Sequence, residues 1–250
     1  DAVILQPGTG ESAGRSSSTD STIARGQRLI DSIRRYSPCA KIILYEISTG
    51  IAPNDTSNNN YNNYFTIQSL IKDSITRISN GLQIPFAPAG ECFKSYYTLN
   101  QNLRLHSYYG DVHPNSYGSY LVACSIFNTL YQEKVFPCNF YGNVPSLLAD
   151  SLQNISDSVV LTHKPNWNIN TYNLWAEFSF VVNGMDLQLN NLSTNYDSIS
   201  WNINNEFSSN DTLVNYTFSS IGVKTITLTA YKDGCSLTAT KQIDVSLSSL

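Results

Sequence analysis

An aspartate and a histidine two positions apart, Asp111 and His113, open the stretch GDVHPNSYGSYLVA. A carboxylate beside an imidazole is the working pair of general-base chemistry. The carboxylate fixes the ring's tautomer and stabilises the imidazolium that forms when the ring takes a proton. Such a ring activates a serine hydroxyl, which attacks poorly until a neutral imidazole accepts its proton. The competing reading is structural: Asp111 caps a helix, His113 packs, and Pro114-Asn115 form the helix entry.

A base needs a nucleophile and an oxyanion donor. Ser12 lies in GESAG (10–14), which satisfies the G-x-S-x-G elbow pattern after a strand. Yet QPGT separates it from that strand and RSSSTD delays the following helix, so the stretch also reads as a polar loop lining a pocket. Gln6 closes the first strand and offers an amide to a substrate or an oxyanion, or else to a structural hydrogen bond. PND at 53–55 begins an Asn-rich loop and reads as a turn. Glu46 ends the second strand, where a lone carboxylate reads as a capping or solvated group. His106 is read as a loop residue near the site and His163 as linker, because neither has partner ligands at metal spacing.

The elements that must position these residues follow from periodicity. AVILQ (2–6) is a continuous apolar run bounded by Pro-Gly, which predicts a buried strand. Ile23, Leu29, Ile30 and Ile33 recur at helical spacing between a cap at Thr19 or Asp20 and a stop at Pro38. AKIILYEIS (40–48) predicts a second strand, FTIQSLIKDSITRISNG a helix ended by Gly81, and QIPFAPAG (83–90) a third short strand. Further helices are predicted over 116–133 and over 144–160, with Pro145 in the first turn. Strands alternating with helices imply a parallel sheet covered by helices, a three-layer α/β domain over 1–162. Ligands of such sheets bind at the carboxyl ends of the strands. The loops after Gln6, after Ser48 and around 88–113 all belong at that edge.

From about residue 172 the pattern changes. AEFSFVVNG, MDLQLNNLS, DSISWNIN, TLVNYTFSS, GVKTITLTAYKDG and CSLTATKQIDVS are short runs of β-branched and aromatic residues separated by turn residues. They predict an all-β sandwich over 172–250, with 163–171 as linker. Trp201 is expected in the sandwich core, and Trp167 and Trp175 flank the linker.

The ordered blocks VILQ (3–6), Pro38 with KIILY (41–45), PAG (88–90) and HPNSYGSYLVA (113–123) resemble the SGNH/GDSL hydrolase superfamily over about 160 residues. The resemblance implies a flavodoxin-like α/β fold and ester hydrolysis by serine, histidine and aspartate without metal or organic cofactor. In that family the aspartate stands three positions before the histidine. Gly110 occupies that place here, and Asp111 stands two before. The family's G-x-S nucleophile block precedes the VILQ strand, so the chain is expected to be a piece of a longer enzyme, weak or inactive alone. The second half, through ISWNINNE and VNYTFSSIGVKTITLTAY, is similar to PKD-type immunoglobulin-like domains, with the acidic-glycine turn degraded. This architecture resembles proteins exported by Bacteroidetes-type bacteria. It implies a secreted or cell-surface esterase acting on an ester, an O-acetyl carbohydrate among the candidates, with glycan contact through the sandwich. The rival reading is a non-catalytic binding or surface-assembly protein that kept the fold.

Composition agrees with an exported domain. Charged residues make up 14% of the 250-residue chain, and Asn, Ser, Thr and Tyr supply the polar surface. The formal net charge of -4 and the lack of a basic patch argue against nucleic acid as partner. The longest apolar runs are too short to span a bilayer. Five cysteines, none at CxxC spacing, argue against a zinc site. They leave room for one or two disulfides and an odd thiol. Cys124, within an apolar helix, reads as a small buried hydrophobe.

Overall fold

A computed structural model describes residues 1–8, 18–51 and 59–246. It divides into two compact units, Asp1–Ile169 and Asn170–Leu250.

The first unit is a parallel sheet with helices. Its strands β1 (Ala2–Leu5), β2 (Lys41–Tyr45) and β3 (Phe86–Ala87) pair in the order β1-β2-β3, all parallel. Helices α1 (Thr19–Tyr36) and α2 (Asn59–Leu82) make the crossovers that a parallel pair requires. Three further helices follow, α3 (Ala89–Leu99), α4 (Ser116–Tyr131) and α5 (Ser146–Leu161). The run KIILY has buried residues on both faces of the sheet, as parallel strands do. Ile42 and Leu44 join the main core with Phe86, Phe93, Tyr97 and Leu121, while Ile43 is buried outside that cluster.

Several predicted boundaries move, each for a local reason. Ser18 caps α1, its hydroxyl accepting from Ser21 N at 3.2 Å, so neither Thr19 nor Asp20 is the cap. Helix α2 begins at Asn59 within the Asn-rich stretch and passes through Gly81. Gln83, at φ 52°, takes the left-handed conformation beyond its end. The predicted third strand keeps two paired residues, because Ala89 already begins α3. Helix α3 has no side-chain cap of its own at Pro88. The Glu46 carboxylate, arriving from the neighbouring strand, accepts from Glu91 N at 3.2 Å in the first turn. Glu46 is fully buried and also accepts from Gln68 Nε2 at 3.1 Å, so it is the cap of another element's helix and not a solvated group. Burial, with Glu91 beside it, pushes its carboxyl well above the usual carboxylate range.

The first half of the predicted linker belongs to the α/β core. Residues Lys164–Trp167 form a 3-10 turn, and Trp167 is buried in the main cluster. Its indole donates to Val159 O at 3.0 Å. The loop before α5 is held by a buried carboxylate. Asp157 accepts from Val135 N and Asn128 Nδ2, both at 2.7 Å, and from Phe136 N at 3.0 Å. Gln153 adds bonds to both the N–H and the carbonyl of Cys138. Cys124 is buried, and burial pushes its thiol up to about 12, which makes it inert.

The second unit consists of two antiparallel sheets around one core. Strands β4 (Phe178–Asn183), β5 (Asp186–Asn191) and β8 (Leu213–Thr217) pair in the order β4-β5-β8. Strands β6 (Ser198–Ile203), β7 (Phe207–Ser209), β9 (Gly222–Lys232) and β10 (Cys235–Val245) pair in the order β10-β9-β6-β7. The short β7 is absent from the sequence reading. Leu187 and Leu189 of one sheet and Trp201, Ile226 and Leu228 of the other share the core. Trp201 is fully buried, edge-on to Phe178, and its Nε1–H donates to Asp211 O at 2.8 Å. The β9–β10 turn uses Asp233 and Gly234, both at positive φ, the pattern of a two-residue hairpin that suits strand twist.

Removing the Asp157 carboxylate would strand two backbone N–H groups and one amide, each costing roughly 1–3 kcal/mol when buried. Asp157→Ala should therefore destabilise the first unit by about 3 kcal/mol in urea denaturation, and a loss below about 0.5 kcal/mol would show that water replaces the carboxylate.

Candidate functional site

The segment between α3 and α4 is a hairpin-like loop. Its ends are tied by Ser107 N to His113 O at 3.0 Å and Asn115 N to Leu105 O at 2.9 Å. Asn115 secures both sides of this tie. Its Oδ1 accepts from Tyr117 N and Gly118 N, capping α4, while its Nδ2 donates to Arg104 O at 2.8 Å. Arg104 donates to His106 O and Ser107 O and stands 4.9 Å from the Tyr109 ring centre. The helix cap is thus Asn115, not Asp111, and Asp111 is left for another partner.

That partner is His113. Asp111 Oδ1 lies 2.6 Å from His113 Nδ1 and accepts the His113 backbone N–H at 3.1 Å. An ionised carboxylate only accepts, so Nδ1 carries the hydrogen and Nε2 is the lone-pair nitrogen. The two side chains have opposite exposure. Asp111 is 9% exposed and His113 80% exposed. The bonds from the His113 backbone and ring hold the Asp111 carboxyl below its ordinary range, so it is ionised at neutral pH.

Two glycines make this turn feasible. Gly110 sits at φ 81°, a conformation that costs glycine little, and donates its N–H to Ile51 O at 2.5 Å. At Gly50 an added Cβ would stand 2.7 Å from Asp111 O, so the loop after β2 approaches the Asp111 backbone only because no side chain intervenes.

His113 borders a cleft of about 360 Å³ at the carboxyl ends of the strands. One wall comes from the sheet: Ile4 of β1 and Gln6 just past its end, with Tyr45 closing β2 and Ile47 just beyond it. Val112, His113 and Pro114 form the rim. Val122 and Ile126, four apart on one side of α4, close the opposite wall. Gln6 and His113 therefore share one cavity. Ser12 and the PND stretch lie outside the described residues. Among the described residues that line the cleft there is no serine, threonine or cysteine.

Tyr45 is a candidate missed by sequence reading. Burial and neighbouring Glu46 push its phenol up to about 12, so it persists as a neutral O–H donor beside Gln6 and His113. Its place at the end of a strand after KIIL was the available signal, and an aromatic in that run reads equally well as core. His106, expected near the site, is fully buried against Tyr97, whose ring it stacks on at 5.8 Å. Leu105 N donates to Tyr97 Oη at 2.8 Å, and Tyr97 Oη lies 2.9 Å from His106 Nδ1. His106 Nε2, the other ring nitrogen, is buried and has no hydrogen-bond partner among the described residues. His163 stands at the start of the 3-10 turn without a side-chain cap bond, its Nδ1 2.7 Å from Thr162 Oγ1. No group of three or more His, Cys, Asp or Glu side chains among the described residues could hold a metal ion.

No family model matches the chain, and no curated protein matches it. Among solved structures it is similar to a DUF4886 family protein from Bacteroides uniformis, at a TM-score of 0.52 and 17% identity. The match covers 64% of this chain and 62% of that protein, and the likeness is one of fold. The PKD1 domain of Vibrio anguillarum Epp also matches, at 24% identity over 30% of this chain and 95% of that domain, TM-score 0.29. So does the PKD1 domain of Vibrio cholerae metalloprotease PrtV, at 27% identity over 29% of this chain and 96% of that domain, TM-score 0.28. No helix among the described residues is long and apolar enough to cross a membrane.

Burial lowers the His106 imidazole from 6.5 to about 4. Between those values the unfolded chain binds a proton that the folded one refuses, so stability falls as pH drops from about 6.5 to about 4. The loss from this one group is about 3 kcal/mol, and His106→Gln should flatten the pH dependence of the unfolding free energy from urea denaturation by that amount. An unchanged slope would mean that the ring is charged in the folded protein.

Proposed function

We propose that the first unit carries the acid–base half of a serine-type ester hydrolase of the SGNH kind, and that the second is a PKD-like immunoglobulin-fold appendage. One observation carries the reading: Asp111 takes both the ring and the backbone N–H of His113, leaving Nε2 as acceptor at the mouth of a cleft. The resembled family uses a D-x-x-H spacing. Here the carboxylate reaches the same ring nitrogen from two positions away. In the proposed reaction a serine hydroxyl attacks the ester carbonyl while Nε2 removes its proton. His113 then gives that proton to the departing alcohol, leaving an acyl-serine. Water, deprotonated by the same nitrogen, releases the acid and restores the serine. Tyr45 and Gln6 are the groups proposed to donate to the carbonyl oxygen as it gains charge. The hydroxyl comes from outside the described cleft lining, Ser12 being one candidate. An exported location fits the weakly charged, Asn- and Ser-rich sequence.

One observation favours the second reading, a non-catalytic surface protein: no hydroxyl nucleophile lines the described cleft.

Hydrolysis of p-nitrophenyl butyrate and labelling by a fluorophosphonate separate the two. In a protein that carries the serine together with this chain, the enzyme reading expects both, with kcat/KM falling by about 10²–10⁴ in His113→Ala and by a similar factor in Asp111→Asn. Neither labelling nor hydrolysis in the wild type, or activity unaffected by His113→Ala, would leave the binding-protein reading standing.

A further inference from the structure

The cleft itself defines which part of an ester it receives. Its two long walls are aliphatic: Ile4 and Ile47 on the sheet side, Val122 and Ile126 on the helix side. The groups able to hydrogen-bond, Gln6, Tyr45 and His113, sit at the strand ends and rim. Such a cavity suits a ligand with one polar end and one oily end. A sugar ring would place hydroxyls against isoleucine and valine with nothing to replace their water, which is costly. A volume of about 360 Å³ is roughly that of a dozen waters, where an acetyl group has three heavy atoms.

Ile4 adds an independent observation. It is 43% exposed in a strand whose type is normally covered on both faces. It sits in register with Ile43, so both project to the same side of the sheet, the side on which Tyr45 also lies, and Ile47 just beyond β2 lines the same cleft. An apolar strip therefore runs along that face toward His113, and it has uncovered area for a flexible aliphatic chain to bury.

We infer that this cleft is an acyl-chain site, taking a linear aliphatic acyl group of about six to ten carbons with its carbonyl at His113, Gln6 and Tyr45. The inference rests on the hydrolase reading for its chemistry and replaces the short O-acetyl group implied by resemblance. Each methylene that enters the cleft should improve binding up to about fourfold, until the walls end.

The test uses the full 250-residue chain and two arms. In the first, sodium octanoate and sodium acetate are titrated while methyl NMR signals of Ile4, Ile47, Val122 and Ile126 and the His113 ring signals are followed. Octanoate should shift all of them and saturate at least tenfold below acetate. Ile126→Trp, which narrows the cleft, should weaken octanoate tenfold, and Val122→Phe serves as a second narrowing variant if the first misfolds. Equal weak responses to both acids, or shifts confined to other surfaces, would overturn the acyl-chain site. In the second arm, p-nitrophenyl esters from acetate to decanoate are compared. A kcat/KM that rises to about C8, then shortens its optimum in the narrowed variants, supports the site. A preference for acetate overturns it while leaving the hydrolase reading intact. Octanoate binding without hydrolysis of any ester supports the site and rejects only the idea that this chain supplies its own serine.

Discussion

The arrangement around His113 depends on one carboxylate accepting two hydrogens from the same residue. Asp111 has to accept the backbone N–H and the ring N–H of His113 at once, within a turn only two residues long. That pair of hydrogen bonds sets ring orientation and tautomer together. It also demands that the chain reverse at Gly110 and that the loop after β2 come close enough for Ile51 to receive the Gly110 N–H. The tie between 105–107 and 113–115, the Asn115 cap and the Arg104 guanidinium all serve to keep that turn closed. A charged hydrogen bond with its acceptor buried and its donor ring exposed is a directed device, because water can reach one side of the pair alone.

Burial sorts the polar groups of the first unit into two kinds. Glu46, His106 and Asp157 are enclosed and spend their hydrogen bonds on the scaffold: a helix start, an aromatic stack, a loop. His113 is the reverse, an exposed ring with one nitrogen committed and one open. The two histidines show how little residue type decides. His106 is kept neutral by desolvation and leaves a buried ring nitrogen without a partner among the described residues, a fault the fold tolerates because the ring fills an aromatic cluster of Tyr64, Phe93 and Tyr97. His113 fills nothing.

Much of the scaffold was legible because its signals are local. The runs KIILY and SYGSYLVACSIFNTLY state their periods without reference to anything distant, and Pro114-Asn115 before the latter marks a helix entry by residue type alone. Helix α3 was illegible for the opposite reason. AGECFKSYYTL opens after Pro88 with no capping side chain, and its first turn is satisfied by a carboxylate 45 positions away. Strand β7, three residues long, carries too few side chains to show alternation. The Asp111–His113 pair could be read because its members are close in sequence, although two positions did not say whether the carboxylate would turn to the helix or to the ring.

By itself, then, the sequence determined most of the segments that are helix or strand, with α3 and β7 the exceptions, that the parallel elements precede the antiparallel ones, and that an acid and an imidazole share one loop. Periodicity and adjacency are properties of neighbouring residues, and neighbours are what a sequence records. Only the tertiary structure decided that Asn115 and not Asp111 caps α4, that Tyr45 and Gln6 border the same cavity as His113, and that Val122 and Ile126 make its far wall. Those outcomes depend on the free energy of bringing distant segments together, on which faces can be buried at once and which buried polar atoms must find partners, and that competition is settled only when the chain is packed.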